Sequence, residues 1–257
     1  MIATVVNACA VLVGSLLGLL LRSRIKDSFK AIVQIGAGVT SVIIGIKMAL
    51  AGQKIVYLAL SLIIGGILGE WWRIENGILA LGEKLKRLAP VASGRARPAA
   101  LAPAAGVRGA APAGAGSEFG YGFLNASVLF CVGAMALVGS FKAGAEGNYE
   151  LIFTKSVMDG FMAIVLTAAM GIGVGFSALS VLVYQGILTI AAVWLAPLVS
   201  PALLTELTGV GGALVIMIGI NLLGLARLKT ANFLPALLLI VLFVVGEGWA
   251  AALHLFG

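Results

Sequence analysis

Charge is scarce in this chain. Asp, Glu, Lys and Arg make up 11% of its 257 residues, with one histidine and two cysteines. A soluble domain carries roughly 25% charged residues, so there are too few ionic groups here to cover a water-facing surface. Cys9 and Cys131 lie in separate apolar runs, where a thiol behaves as a small hydrophobe, and their spacing suits neither a metal nor a redox pair. His254 stands near the C-terminal end, and no GxSxG, HExxH or phosphate-cradling Gly-rich loop occurs. No enzyme activity, metal or cofactor is expected. The methionines, among them Met135, Met158, Met162, Met170 and Met217, read as flexible core filling and not as soft-metal ligands.

What the chain has in abundance is hydrophobic residues, 61% against a usual ~45–50%. They fall in nearly uncharged runs of about 18 or more residues, and a helix needs about 20 to cross a ~30 Å hydrocarbon core. The expected fold class is an all-α integral membrane protein with about eight transmembrane helices. The net charge of +7 does not indicate a nucleic-acid partner, because the basic residues flank the apolar runs. They read as topology signals, and the partner they imply is the lipid bilayer.

Taken in order, the first span is expected over Ala3–Leu21, retained and not cleaved as a signal peptide, with Gly14 and Gly18 in GxxxG spacing. Arg22, Arg24, Lys26 and Lys30 follow it and assign that connection to the cytoplasm. Ile25, Phe29 and Ile32 suggest a short surface helix before the second span, Ile32–Ala51. A GQK turn leads to the third, Ile55–Trp72, which carries Gly65 and Gly69. Ile74, Ile78, Leu81, Leu85 and Leu88 then form one apolar stripe among charged neighbours, the pattern of a helix lying on the membrane surface. Residues Pro90–Ser117 are Ala, Pro and Gly with Arg95, Arg97 and Arg108, a flexible cytoplasmic linker. Further spans are expected at Phe123–Phe141, from near Lys155 to a turn at Ser177–Ser180, and at Val181–Leu198. After a short surface helix at Ala202–Leu207, the last two are Thr208–Ala226 and Phe233–Ala251. Eight crossings leave both termini outside.

One stretch is written twice. GVTSVIIGIKMAL from Gly38 matches GALVIMIGINLLGL from Gly212, setting Gly38, Ile44, Gly45 and Ile46 against Gly212, Ile218, Gly219 and Ile220. Both copies lead into a run ending on a carboxylate and a tryptophan, GILGEWW at 66–72 and VVGEGW at 244–249. With the spans counted as above, the copies point in opposite directions, so an inverted-topology repeat is expected, spans 1–3 against spans 6–8. The resulting division is a first repeat at 1–89, the linker at 90–118, a central helix pair at 119–179 and a second repeat at 180–257.

Polar groups inside spans are costly and each needs a reason. Lys47 and Asn221 occupy matching points of the two motifs. Lys47 is close enough to a helix end for its ammonium to reach the surface, and Asn221 suits either a helix–helix hydrogen bond or a pathway. Lys155 and Asp159 stand i, i+4 on one helix face, as a structural ion pair or as a cation or proton site in which the lysine competes with the ligand. These four are the transport-path candidates. Gln185, Glu70 and Glu247 are secondary ones, since each lies near a helix end, the glutamates beside tryptophans.

FCVGAMALVGS at 130–140, TKSVMDG at 154–160, GIGVGFSALSVLVYQG at 171–186 and IGINLLGL followed by NFLPALLL make the chain similar to the YqgA/YdfK-like family of bacterial membrane proteins, a domain of unknown function. The resemblance spans nearly the whole chain except the linker. It implies a multi-pass protein of the bacterial inner membrane and supplies no substrate. The expected function is transport or permeation of a small ion or solute. The alternative is a non-transporting homo-oligomeric scaffold or sensor that binds a partner through the linker.

Overall fold

A chain with so little polar surface must satisfy its backbone internally, and within lipid a helix does this one segment at a time. The computed structural model describes residues 1–24, 27–88, 118–132, 134–195 and 200–254, and among them regular structure is helical throughout. The elements are α1 (Ile2–Arg24), α2 (Asp27–Ala49), α3 (Ile55–Trp72), α4 (Ile74–Leu88), α5 (Glu118–Cys131), α6 (Ala134–Phe141), α7 (Glu150–Met170), α8 (Gly173–Leu195), α9 (Pro201–Leu222) and α10 (Pro235–His254). A π-helical turn, Lys142–Glu146, extends α6, and a 3-10 turn, Thr230–Phe233, precedes α10. Seven helices are long and apolar enough to cross a membrane, and the α5–α6 pair, bent by 57°, is an eighth candidate.

Glycines fix which helices touch. A Cβ at Gly45 would lie 2.8 Å from the Gly212 carbonyl oxygen, and one at Gly219 would lie 2.9 Å from that of Gly38. The two copies of the motif therefore pack directly on each other, antiparallel, with each glycine of one against the opposite glycine of the other. α3 and α10 are antiparallel too: Gly65 faces Ala236, Gly69 faces Asn232, and Tyr57 stacks near Phe243. α1 runs antiparallel to α8, joined at Thr4–Thr189 and Asn7–Gln185, and parallel to α7, where Gly14 meets Gly160 and Gly18 meets Ile164. Such contacts let dispersion forces act between backbones where lipid offers no hydrophobic drive to associate.

The bent pair traverses the bundle from end to end alongside α8. Phe119 abuts Gly173, Ser127 donates to or accepts from Ser180 at 2.9 Å, and Gly144 abuts Thr189. Counted as one broken crossing, it gives eight traverses and leaves the starts of α1 and the end of α10 at the same end. Trp71 and Trp72, 78% and 62% exposed, lie at one end of the bundle and Trp194, 79% exposed, at the other, the positions of aromatic belts.

The third span and the amphipathic helix after it have the expected bounds. Elsewhere the boundaries move for identifiable reasons. No separate surface helix precedes the second span: Phe29 and Ile32 lie in the opening turns of α2, and Ile25 is outside the described residues. No turn occurs at Ser177–Ser180, since Ser177 donates to the Val174 carbonyl within α8. The chain instead reverses at Gly171, whose φ of 85° and ψ of −169° are open essentially to glycine alone. The helix expected to start at Val181 thus opens at Gly173. A surface helix at Ala202–Leu207 is likewise absent, because Ser200 caps α9 by accepting from the Leu203 amide and Pro201 takes the first helical position, where proline starts a helix without breaking it. The span expected at Phe123–Phe141 is interrupted after Cys131, and α6 resumes at Ala134. The linker at 90–117 lies outside the described residues.

Gly45→Ala is expected to cost about 1–3 kcal/mol by forcing Ile216 and the α9 backbone away. Gly36→Ala, with nothing within 4 Å of its new methyl, should be neutral or stabilising by up to about 1 kcal/mol. Thermal unfolding of the two variants in detergent checks the contrast.

Candidate intramembrane polar site

Among the described residues, four charged side chains are buried, and two of them, Lys155 and Asp159, form an ion pair within the bundle. Lys155 and Asp159, each 7% exposed, share a face of α7 one turn apart, and the lysine ammonium pairs with Asp159 Oδ2. α1 passes alongside and inserts Asn7, whose Nδ2 donates to Asp159 Oδ2 at 3.1 Å and to Gln185 Oε1 of α8 at 3.0 Å. Asn7 and Gln185 are both 0% exposed. Close approach of α1 to α7 at Gly14, Gly18 and Gly160 brings so short an amide within reach. Thr4 and Thr189 continue the polar seam with hydroxyls 3.4 Å apart.

The cluster is not fully satisfied. Asn7 Oδ1 and Gln185 Nε2 are buried with no hydrogen-bond partner, one acceptor and one donor held beside a carboxylate and an ammonium. Five hydroxyls on the helices, those of Ser15, Ser41, Ser61, Ser140 and Thr167, are also buried without a partner. Among the described residues, only here do two orphaned amide atoms lie beside an ion pair, where an unpaired buried group calls for an explanation. Cys131, at the end of α5 where the crossing breaks, lies within electrostatic reach of both charges. Broken helices at membrane depth occur where the freed backbone is buried in protein or lines a cavity, so the break and the ion pair mark one region.

The other sequence candidates are elsewhere. Lys47 is exposed on α2, away from the cluster. Asn221 is bonded into the α9–α10 turn: its Nδ2 donates to the Leu228 carbonyl at 2.8 Å and to Thr230 Oγ1 at 3.2 Å, and its Oδ1 accepts from the Leu228 amide at 2.7 Å. Both amide hydrogens and the carbonyl oxygen are engaged within the turn. Glu70 pairs with Lys229 at 2.5 Å, and Glu247 pairs with Lys54. These two exposed bridges hold opposite ends of the α3–α10 pair.

Two carboxylates had no signal in the sequence. Glu206 of α9, 3% exposed, accepts from the Gln53 amide at 3.0 Å and the Lys54 amide at 3.1 Å, where α3 begins. It neutralises the positive end of that helix. Glu75, 7% exposed at the start of α4, accepts from the Ala231 amide at 3.2 Å, while its own amide donates to Asn232 Oδ1 at 2.7 Å. Asn232 Nδ2 in turn donates to Glu70 Oε2 at 2.7 Å. Burial raises the Glu75 carboxyl above its ordinary range, opposed by the Ala231 amide and Lys229.

A bundle of membrane-length helices closed around an ionic cluster defines a multi-pass membrane protein. The chain belongs to the family described as protein of unknown function (DUF554), whose model matches residues 2–245. It is similar to the uncharacterized membrane protein YdfK of Bacillus subtilis (strain 168), 28% identical over 251 residues that cover 95% of this chain and 97% of that protein. It is also similar to the uncharacterized protein YqgA of Escherichia coli (strain K12), 27% identical over 234 residues, 91% of this chain and 92% of that one. No solved structure matches. The resemblance read from the runs at 130–140, 154–160 and 171–186 therefore holds.

Because the folded state holds the Glu75 proton more tightly than the unfolded chain does, the stability it contributes is greatest below the ordinary glutamate pKa. That contribution is lost as pH rises through the elevated folded value. Glu75→Gln should flatten this dependence and unfold at a higher temperature than wild type at mildly alkaline pH, as read by thermal scans across pH. Asn221→Ala should lower stability by about 1–3 kcal/mol through the orphaned Leu228 groups.

Proposed function

We propose that the protein is a transporter or ion-permeation protein for a small ion or solute, built as an inverted-topology repeat of α1–α3 and α8–α10 around the α5–α7 core. The observation that carries this reading is the cluster of Asn7, Lys155, Asp159 and Gln185, closed from both sides at the crossing of α1, α7 and α8. A buried ion pair contributes little net stability over an apolar replacement, and ionisable groups at membrane depth mark ion and proton pathways. The repeat is supported by three antiparallel pairings, α1 with α8, α2 with α9 and α3 with α10. It is supported too by the exchange symmetry of Lys54–Glu247 and Lys229–Glu70. Transporters with this architecture hold substrate near the midplane where the repeats meet and rock one repeat against the other; the extension to this chain is one of architecture.

Among the described residues, the bundle end that carries the start of α2, the start of α4 and the α9–α10 connection holds every Lys and Arg except Lys47, Lys54, Lys142 and Lys155. By the positive-inside rule that end is cytoplasmic, in the bacterial inner membrane, with both termini on the outer side. The second reading, an oligomeric scaffold or sensor, draws on the dryness of the site, since Asn7 and Gln185 are 0% exposed.

In proteoliposomes of the full chain under imposed gradients of protons, sodium, potassium or chloride, wild type should show flux above empty vesicles. Asp159→Asn should reduce it by at least about tenfold, and Lys47→Gln should leave it unchanged. Absence of flux under every gradient would favour the scaffold. Reporters fused to either terminus should both appear outside.

A further inference from the structure

We propose that the cluster is a proton site, a reading that rests on the transport role above: Asp159 takes up one proton, and Lys155 is a tethered cation that occupies the carboxylate until the proton replaces it. In the arrangement observed, Asp159 is a carboxylate that accepts from Lys155 and Asn7, while Asn7 Oδ1 lacks a donor and Gln185 Nε2 lacks an acceptor. Adding one proton to Asp159 supplies an O–H that Asn7 Oδ1 can accept. Departure of the lysine frees the other carboxyl oxygen, which can accept from Gln185 Nε2. Asn7 Nδ2 continues to donate to Gln185 Oε1. Both orphans are then paired by the groups already present, with no new ligand beyond the proton.

The lysine has somewhere to go. It stands five residues into α7, roughly 8 Å of helix rise from Glu150, and helical side chains lean toward the N-terminal end. Four methylenes carry the ammonium to that face by snorkelling, where Glu146 and Glu150 lie. Asp159 is too short to follow. The ammonium keeps its proton throughout, so the net change is COO⁻ plus H⁺ giving COOH, and no unpaired charge stays in the bundle. The other ionisable groups around Asp159 do not substitute for Lys155. Cys131 of α5 and Tyr184 of α8 carry no positive charge, α6 has no ionisable side chain, and Lys47 of α2 is exposed. Glu75 and Glu206, the other buried acids, accept from backbone amides at helix ends, which cannot move away as a lysine side chain can.

The test is infrared difference spectroscopy of the full-length protein in lipid nanodiscs, stepping between mildly alkaline and mildly acidic pH, with proton flux measured in parallel from vesicles holding a pH-sensitive dye. The expected result is a reversible protonated-carboxyl band in wild type that is lost in Asp159→Asn. That variant leaves Lys155 unpaired and can fail to fold, so the Lys155→Gln/Asp159→Asn double variant provides the same subtraction without a buried charge. A wild-type spectrum indistinguishable from the double variant at every pH overturns the proton site. A band with no proton flux keeps the site and removes the transport reading.

Discussion

The close approach of helix backbones at glycine is the constraint on which the structure depends. In lipid, helices gain nothing by hiding apolar side chains from one another, and what they gain is contact. At Gly45, Gly212 and Gly219 the two copies of the motif come near enough that any side chain would collide with backbone. The same device brings α1 onto α7 at Gly14 and Gly18, and α3 onto α10 at Gly65 and Gly69. Each approach places short polar groups within bonding distance. Asn7 reaches Asp159 because α1 and α7 touch at glycine, and Asn232 sits against Glu70 and Glu75 because Gly69 admits its backbone. Packing and polar chemistry are thus one arrangement.

The two ends of the bundle are sewn by a different logic from the centre. At the ends, carboxylates and amides serve backbone groups that the helices leave open: Glu206 at the start of α3, Asn221 in the α9–α10 turn, Glu75 and Asn232 between α4 and the 3-10 turn. Most of these bonds are to fixed peptide groups, the exceptions being Asn221 to Thr230 Oγ1 and Asn232 to Glu70. In the centre, Lys155, Asp159, Asn7 and Gln185 bond only to one another through side chains that can rotate. The ends are therefore rigid and satisfied, while the centre is rearrangeable and two bonds short. That contrast separates structural polar residues from candidate functional ones better than depth in the membrane does.

The same contrast explains what was legible in the sequence. Spans were, because apolar composition and helix length are local properties; the third span and the amphipathic helix after it fall at the expected bounds. Lys155 with Asp159 was legible because i, i+4 spacing on a helix is a contact by construction. Misreadings arose where one residue type serves two purposes. The turn expected at Ser177–Ser180 falls at Gly171, which closes α7 in a conformation glycine alone adopts, and the surface helix expected at Ala202–Leu207 is the opening of α9, which Pro201 starts. Asn221 gained weight from its match to Lys47 across the repeat, whereas its amide completes a turn. Glu75 and Glu206 gave no sign because their partners are peptide amides more than 150 residues away. Asn7 was visible as a polar residue in a span, but its part in the cluster depends on α7 and α8.

That distance bears on how the protein is made. The polar side chains of α1 find their partners at separations of 152, 178 and 185 residues. At elongation rates of about 5–20 residues per second, α1 waits on the order of ten to thirty seconds between its own synthesis and that of α7 and α8. For that interval Thr4 and Asn7 belong to a helix whose proper neighbours do not yet exist. α1 is thus synthesised well before the helices that satisfy it, and it is among the last to gain its polar partners.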